Sequence, residues 1–225
     1  MREPERRTSV RRKVKSSRRG TVATRTKAAD IRRRDLMDAG ERTFVRNGFA
    51  STTIEDITHE AGVAKGTFYL YFDSKEAILA ALRDRFIESC RERIAALASR
   101  VPAADWAGRL DAWVEGGISH YLDHVKLHDV VFHAGLQRHG SRAQNASVLE
   151  LADLIRAGSA ARAWQVESPE LISVFLFSAL HGIADHILNK RQSDHKAAIR
   201  VSQRIVRNAL GIPPEAGNRR VLSRS

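Results

Sequence analysis

Thr52-Thr53-Ile54-Glu55-Asp56-Ile57-Thr58-His59-Glu60-Ala61-Gly62-Val63-Ala64-Lys65-Gly66-Thr67-Phe68-Tyr69-Leu70-Tyr71-Phe72 is the stretch that decides the fold. Thr53 with Asp56 three residues on is close to a capping box and opens a helix. Ile54 and Ile57 face inward, Ala61 is small enough to let a second helix approach, and Gly62 can take the positive φ that ends the first helix sharply. Val63 plugs the corner, and Phe68 and Phe72, one turn apart, anchor the second helix to a core. Lys65, Gly66, Thr67, Tyr69 and Tyr71 are left for the outer face: a cation, three hydroxyls and a position where backbone can come close to a partner. Two short helices joined this way make a helix-turn-helix, whose second helix reads the major groove of double-stranded DNA. A three-helix bundle without DNA would use the same inward residues. It gains nothing from a glycine near a helix start, which costs about 1 kcal/mol against alanine.

Working outward, Phe44 and Gly48-Phe49 close a helix before the motif, and Lys75-Glu76 and Leu79 follow it. Together with Thr52-Thr53, Ile57, Ala61-Gly62-Val63, Lys65-Gly66-Thr67, Tyr69 and Phe72, these residues resemble the N-terminal domain of the TetR family of bacterial transcriptional repressors. The resemblance runs from about Ile31 to Leu82. It implies that Thr52, Thr53, Lys65, Gly66, Thr67, Tyr69, Tyr71 and Lys75 contact operator DNA. Most would touch phosphates, and Thr67 with Tyr69 would reach base edges or thymine methyls. Two positions depart from the family pattern. Ala64 stands where a serine is common, removing one hydroxyl, and Thr58 replaces a common alanine.

Almost everything between Asp30 and Gly211 reads as helix, with prolines confined to boundaries at Pro102, Pro169 and Pro213-Pro214. The expected helices are 30–47, 54–61, 64–71, 74–99, 105–123, 126–138, 141–162, 169–190 and 194–210. Caps are expected at Asp73 with Glu76, at Ser141 with Gln144 and at Ser168 before Pro169. The fold class is therefore all-α: an N-terminal three-helix helix-turn-helix domain plus a C-terminal helical ligand-binding and dimerisation domain. The division is a disordered basic tail at 1–29, the DNA-binding domain at 30–75, the effector-binding and dimerisation domain at 76–211 and a flexible tail at 212–225.

The 225 residues carry a net charge of +12, and residues 1–29 hold eleven basic residues against Glu3 and Glu5. That segment has too few large apolar residues to repay its own ordering, and a flexible polycation suits phosphate backbones. Cys90 is the chain's one cysteine, so an internal disulfide framework is excluded. The most apolar run, Val174 to Leu188, is interrupted by His181, Asp185 and His186, and no membrane partner is expected. The N-terminus lacks the apolar region of a secretory signal, so a cytoplasmic, nucleoid-associated protein is the expectation.

The resemblance implies a divergent helical second domain that dimerises through its last two long helices and holds a small-molecule effector between the others. Leu171, Val174, Phe175, Ser178, Ala179, Gly182, Ile183 and His186 share one face of 169–190, and Ile199, Ser202, Ile205, Val206 and Ala209 supply a second on 194–210. These faces build either a two-fold homodimer interface or the monomer core. The candidate pocket residues are Phe86, Cys90, Trp106, Leu110, Trp113, Val114, Gly117, Tyr121, Phe132, Leu136 and Phe175.

Nine histidines are present, eight of them after residue 119. Asp129 with His133 and His181 with Asp185 are each one turn apart, so two facing helices could supply four metal ligands. The competing reading is a solvated or hydrogen-bonded set, with His120 and His124 at the surface. No cofactor is required in either case. An enzyme is not expected, because GxSxG, Walker-type and GxGxxG motifs are all lacking and Val63 spoils the HExxH that His59-Glu60 begins. The remaining rival is a DNA-coating protein indifferent to sequence. The expected mechanism is a dimer that blocks transcription at a pseudo-palindromic operator and is released when effector displaces the long helix 74–99.

Overall fold

The computed structural model describes residues 19–133, 142–189 and 194–213. Among these are nine α-helices and no strand. In chain order they are α1 (Arg19–Asn47), α2 (Ile54–Glu60), α3 (Lys65–Phe68), α4 (Lys75–Ala98), α5 (Trp106–Asp123), α6 (Val125–His133), α7 (Arg142–Ala160), α8 (Pro169–Asn189) and α9 (His195–Ala209). Boundaries follow local chemistry. The Thr53 hydroxyl accepts from the Asp56 amide at 3.1 Å while Asp56 accepts from the Thr53 amide at 2.8 Å, a complete capping box. Asp105 and Asp194 cap α5 and α9 through the amides of Gly108 and Ala197, each at 2.8 Å. The cap of α4 is Ser74, not the expected Asp73: its hydroxyl accepts from the Ala77 amide at 3.2 Å. Ser141, expected to cap the seventh helix, lies outside the described residues.

Two expectations about the ends need correction. α1 starts at Arg19, so residues 19–29 of the supposed disordered tail are helical. Alanines, lysine and arginines favour helix there, and nothing after Gly20 interrupts it. Residues 1–18 lie outside the described residues. At the other end, Gly211 at φ 68° turns the chain so that Ile212 is buried with the C-terminal core rather than belonging to a loose tail. The seventh expected helix begins at Arg142, and residues 134–141, including Leu136, lie outside the described residues.

Two apolar clusters hold the fold. The first joins Leu36 and Phe44 of α1, Ile57 of α2, Phe68 of α3 and Ile78 and Leu82 of α4, all fully buried, and it also takes in Leu127 and Val131 of α6. The seven-residue α2 and four-residue α3 bury too little to close a core by themselves, so a helix from the second domain completes it. The second cluster joins Leu110 and Ile118 of α5, Leu151 and Ile155 of α7, Leu176 and Ile187 of α8 and Val206 of α9. Arg207 of α9 grips Asp111 of α5 through two nitrogens. Trp164 donates to the Ile155 carbonyl at 2.9 Å and packs where a side chain on Gly158 would have to sit.

Against the sequence expectation, α8 is long and apolar enough to cross a membrane by length and composition. The interrupting His181, Asp185 and His186 are too few to lower its apolarity. In this fold its inner face, with Ser173, Leu176, Leu180, Ala184 and Ile187, is packed inside the chain. Its outer face leaves Leu171, Val174 and Phe175 exposed, followed along the same side by Ser178, Gly182 and His186. On α9 the expected second face divides. Ile199, Ser202 and Val206 are buried in the chain's own core, whereas Ile205 and Ala209 are exposed beside Val201. The reason is the helical angle: positions 199, 202 and 206 point toward α5 and 201, 205 and 209 away from it.

Candidate nucleic-acid interface and inner cavity

The outer face of α3 is built by burying its opposite side. Phe68 and Phe72 sit in the first cluster, and the turn between them throws Tyr69 and Leu70 outward, 49% and 78% exposed. Gly62 takes φ 66° at the corner, a backbone conformation that costs a residue with a Cβ. Arg42 and Arg46 of α1 clamp Glu60 of α2 at 2.8 and 3.1 Å, fixing the angle at which the pair of helices is presented. Ala64 is the residue before α3 and provides no side-chain cap.

The expected DNA contacts divide into three groups. Lys65, Gly66 and Tyr69 are exposed, Thr67 is half-buried beside them, and a side chain added at Gly66 would meet nothing within 4 Å. Lys65 is ion-paired with Glu55, which raises the lysine pKa and lowers that of the carboxylate; a phosphate would compete for the same ammonium. Thr53 is exposed, with its hydroxyl engaged in the capping box. Thr52 and Lys75 are placed differently from the expectation. Thr52 is buried and donates to the Gly48 carbonyl at 2.8 Å, bracing the end of α1. Lys75 donates to the carbonyls of Phe49 and Thr52 at 2.8 Å each and lies 4.5 Å from the Phe49 ring centre. Its ammonium satisfies backbone oxygens of the loop between α1 and α2, which sequence spacing could not show. Tyr71 is half-buried against the first cluster. Leu70 was missed: with Phe68 and Phe72 inward, position 70 must face out, and a large apolar side chain there is the signal.

A cavity of about 760 Å³, counted to its open mouth, lies between the two clusters. Phe86, Cys90, Trp113, Gly117, Tyr121 and Phe132 line it, six of the eleven residues expected. Leu110 and Val114 are instead fully buried in the second cluster, Phe175 is exposed on the outer face of α8, and Leu136 lies outside the described residues. Trp106 lines a neighbouring open groove, where Arg109 stacks 5.0 Å from its ring centre. Arg91, Ile94, Trp113 and Glu150 border both spaces, and the Arg91–Glu150 ion pair at 2.6 Å stands between them.

Sequence reasoning missed the imidazoles of the wall. His120, expected at the surface, is buried and 4.6 Å from the Phe86 ring centre; His128 stacks 3.9 Å from Tyr121, and His181 4.5 Å from Phe177. Burial, helped by neighbouring His124, pushes His120 down to about 4, so the ring is neutral near pH 7. Burial likewise pushes the Cys90 thiol up to about 11. Of the expected metal set, Asp185 accepts from the Tyr121 hydroxyl at 2.6 Å, and among the described residues no three His, Cys, Asp or Glu side chains gather to hold an ion. The His133 side chain lies outside them.

The cavity and the outer face share a lever. Arg85 of α4 reaches Asp38 and Glu41 of α1, at 2.6 Å each, and Arg83 of α4 donates to the Val131 carbonyl of α6 at 2.8 Å. α4 contributes Phe86 and Cys90 to the wall and α6 contributes His128 and Phe132. α4 and α6 thus both border the cavity and pack against the helices of the first cluster.

Residues 36–82 match the family model described as bacterial regulatory proteins, tetR family. The chain is 50% identical over 46 residues to the uncharacterized HTH-type transcriptional regulator YerO of Bacillus subtilis, covering 20% of this chain and 16% of that one. It is 28% identical over 149 residues to the HTH-type transcriptional regulator EthR of Mycobacterium tuberculosis, 66% of this chain and 56% of that one. The matches thus span about half or less of the length of these curated relatives. In fold it is similar to the transcriptional regulator FadR from Bacillus subtilis, solved in complex with stearoyl-CoA, with a TM-score of 0.65 at 19% identity over 80% of this chain and 98% of that one.

Proposed function

We propose, from the premise that this chain belongs to the TetR family of bacterial regulatory proteins, that it is a ligand-responsive repressor which binds a pseudo-palindromic operator as a homodimer. It is a transcriptional regulator rather than an enzyme, as the relatives are. The observation that carries the reading is the outer side of α3 and of the turn that follows it, where Lys65, Gly66, Tyr69 and Leu70 stand exposed opposite the buried Phe68 and Phe72. Tyr69 and Thr67 read base edges, Leu70 packs on a thymine methyl, and Lys65 with the exposed Thr53 turn engages phosphates. Basic residues before Asp30 add sequence-independent attraction.

The exposed apolar faces of α8 and α9 pair across a two-fold axis, setting two reading heads about 34–36 Å or a multiple apart. A small effector in the inner cavity shifts α4 and α6 and favours a conformer with the heads wrongly spaced. It can do so only to the extent that it binds that conformer better. The structural relative FadR holding stearoyl-CoA supports a ligand-binding second domain in this fold.

Selection of preferred sequences from random duplex DNA tests the reading. A preferred inverted repeat supports the regulator. Uniform recovery of all sequences supports a coating protein and overturns it.

A further inference from the structure

We propose that the ligand of the inner cavity is an uncharged aromatic molecule that brings its own hydrogen-bond donor, of the phenol class, and not a carboxylate or phosphate. This rests on the effector reading above and goes further by assigning the chemistry of the ligand. The His181 Nδ1–H donates to the Phe177 carbonyl at 2.8 Å, which leaves Nε2 as the ring nitrogen able to accept. The Tyr121 O–H donates to Asp185, so its oxygen retains accepting capacity only. The Ser89 hydroxyl donates to the Phe86 carbonyl at 2.9 Å and must therefore accept from His120 Nε2, 3.2 Å away; Nδ1 of that neutral ring is then an acceptor.

Among the described residues the wall thus sets aromatic faces beside the acceptors of His181 and Tyr121, with the Ser147 hydroxyl and the His128 ring also lining it. Among the described lining residues the arginine is Arg91, and it is held by Glu88 at 2.7 Å and Glu150 at 2.6 Å. An anionic ligand would have to break those pairs, and it would be buried beside the Glu150 charge and the acceptors of His181 and Tyr121. A hydroxyl-bearing aromatic satisfies an acceptor and stacks on Phe86 or Tyr121 without leaving a charge unpaired.

The test is calorimetric titration of the full chain at pH 7.5 with three probes of one shape: 4-propylphenol, its methyl ether 4-propylanisole and 4-propylbenzoate. The phenol should bind roughly tenfold tighter than the ether and at least as far ahead of the benzoate, the order expected when a buried acceptor loses its partner. His181→Phe should bring the phenol to within about threefold of the ether, while Cys90→Phe, which fills the space, should weaken both arms alike. The two variants, checked for native helicity, stand in for each other if one fails to fold. Equal binding of ether and phenol, tighter binding of the benzoate, or no binding of the phenol overturns the assignment. Operator release is followed in parallel on the selected DNA. Phenol that binds with the stated preference but releases no DNA sinks the switch and leaves the ligand class standing. Release driven equally by ether or benzoate does the reverse.

Discussion

Gly116 of α5 lies so close to Ile94 of α4 that an added Cβ would stand 2.6 Å from the isoleucine side chain and 3.1 Å from its Cα. The second contact is to backbone, so a larger residue cannot be accommodated by a rotamer change alone. α4 must move away from α5, and α4 is the helix that carries Arg85 to α1 and Arg83 to α6. Gly116→Val is expected to destabilise the fold by about 2–3 kcal/mol, through overpacking and a β-branched residue within a helix. Urea unfolding gives the stability change. Operator affinity of the variant, measured where it remains folded, should fall with it because the lever is displaced. An unchanged unfolding midpoint would show that the α4–α5 contact is looser than described.

The reading helix and its brace make a contrast that two substitutions separate. Tyr69→Ala removes a half-exposed side chain whose ring meets the buried Phe68 edge-on at 5.6 Å, so stability should change by no more than about 1 kcal/mol. Discrimination between the selected operator and random duplex should drop by about 1–3 kcal/mol. Lys75→Met removes the donor for the Phe49 and Thr52 carbonyls. It should cost about 1–2 kcal/mol of stability and weaken specific and random DNA alike, with preference retained. The paired measurement is thermal unfolding beside competition binding. Lost preference with native stability in Lys75→Met would restore that lysine as a direct reader.

These two residues also show what was legible before any coordinates. Tyr69 could be placed because Phe68 and Phe72 mark the buried side of a period that local sequence fully determines. Lys75 and Thr52 could not, because their partners are backbone carbonyls made available by the way the loop between α1 and α2 folds back. The same limit governed the cavity. Phe86, Trp113 and Tyr121 announced themselves as apolar positions at helical spacing, whereas His120 and His181 became wall residues only through the crossing of α4, α5 and α8. Leu110 and Phe175 have the same period as the true lining, and only the rotation of each helix sends one into the core and the other to the surface. Chain ends were misjudged for a different reason. Polar composition argued for disorder at 19–29, yet a helix already nucleated by the packed half of α1 extends through alanine, lysine and arginine at little cost.

A buried neutral histidine makes stability depend on pH in a predictable direction. His120 is pushed down to about 4 from an ordinary value of 6.5, chiefly by burial. The unfolded chain therefore binds more protons at this site between those two values, and stability rises with pH across that window. The contribution is complete above about pH 6.5, is lost progressively on acidification and levels off near pH 4. A shift of this size corresponds to about 3 kcal/mol. Urea unfolding of wild type and His120→Phe at several pH values should give a difference that grows from pH 4 to 6.5 and is flat above. A constant difference over that range would mean that the folded protein takes up the proton as readily as the unfolded chain.

Phe175 and Leu171 bear on the assembly. They are 60% and 72% exposed on an apolar helix whose other face is already packed, and Val201 and Ile205 of α9 continue the exposed surface. Patches of this kind on a folded chain mark an interaction surface. In a two-fold dimer Phe175 near the axis would meet its own counterpart or the partner's α9, so a charge there acts twice. Phe175→Arg is therefore expected to turn a dimer into a monomer in sedimentation at micromolar concentration, with little change in helicity, because the side chain does not support its own fold. The monomer should keep its weak affinity for random DNA and lose most of its affinity for the full inverted repeat, since one head engages a single half-site. Charge repulsion across the axis should be relieved by mixing Phe175→Arg with Phe175→Glu, restoring dimers and operator binding together. Wild type that sediments as a monomer at operator-binding concentrations would remove the two-headed mechanism, and a Phe175→Arg dimer would place the interface on another face.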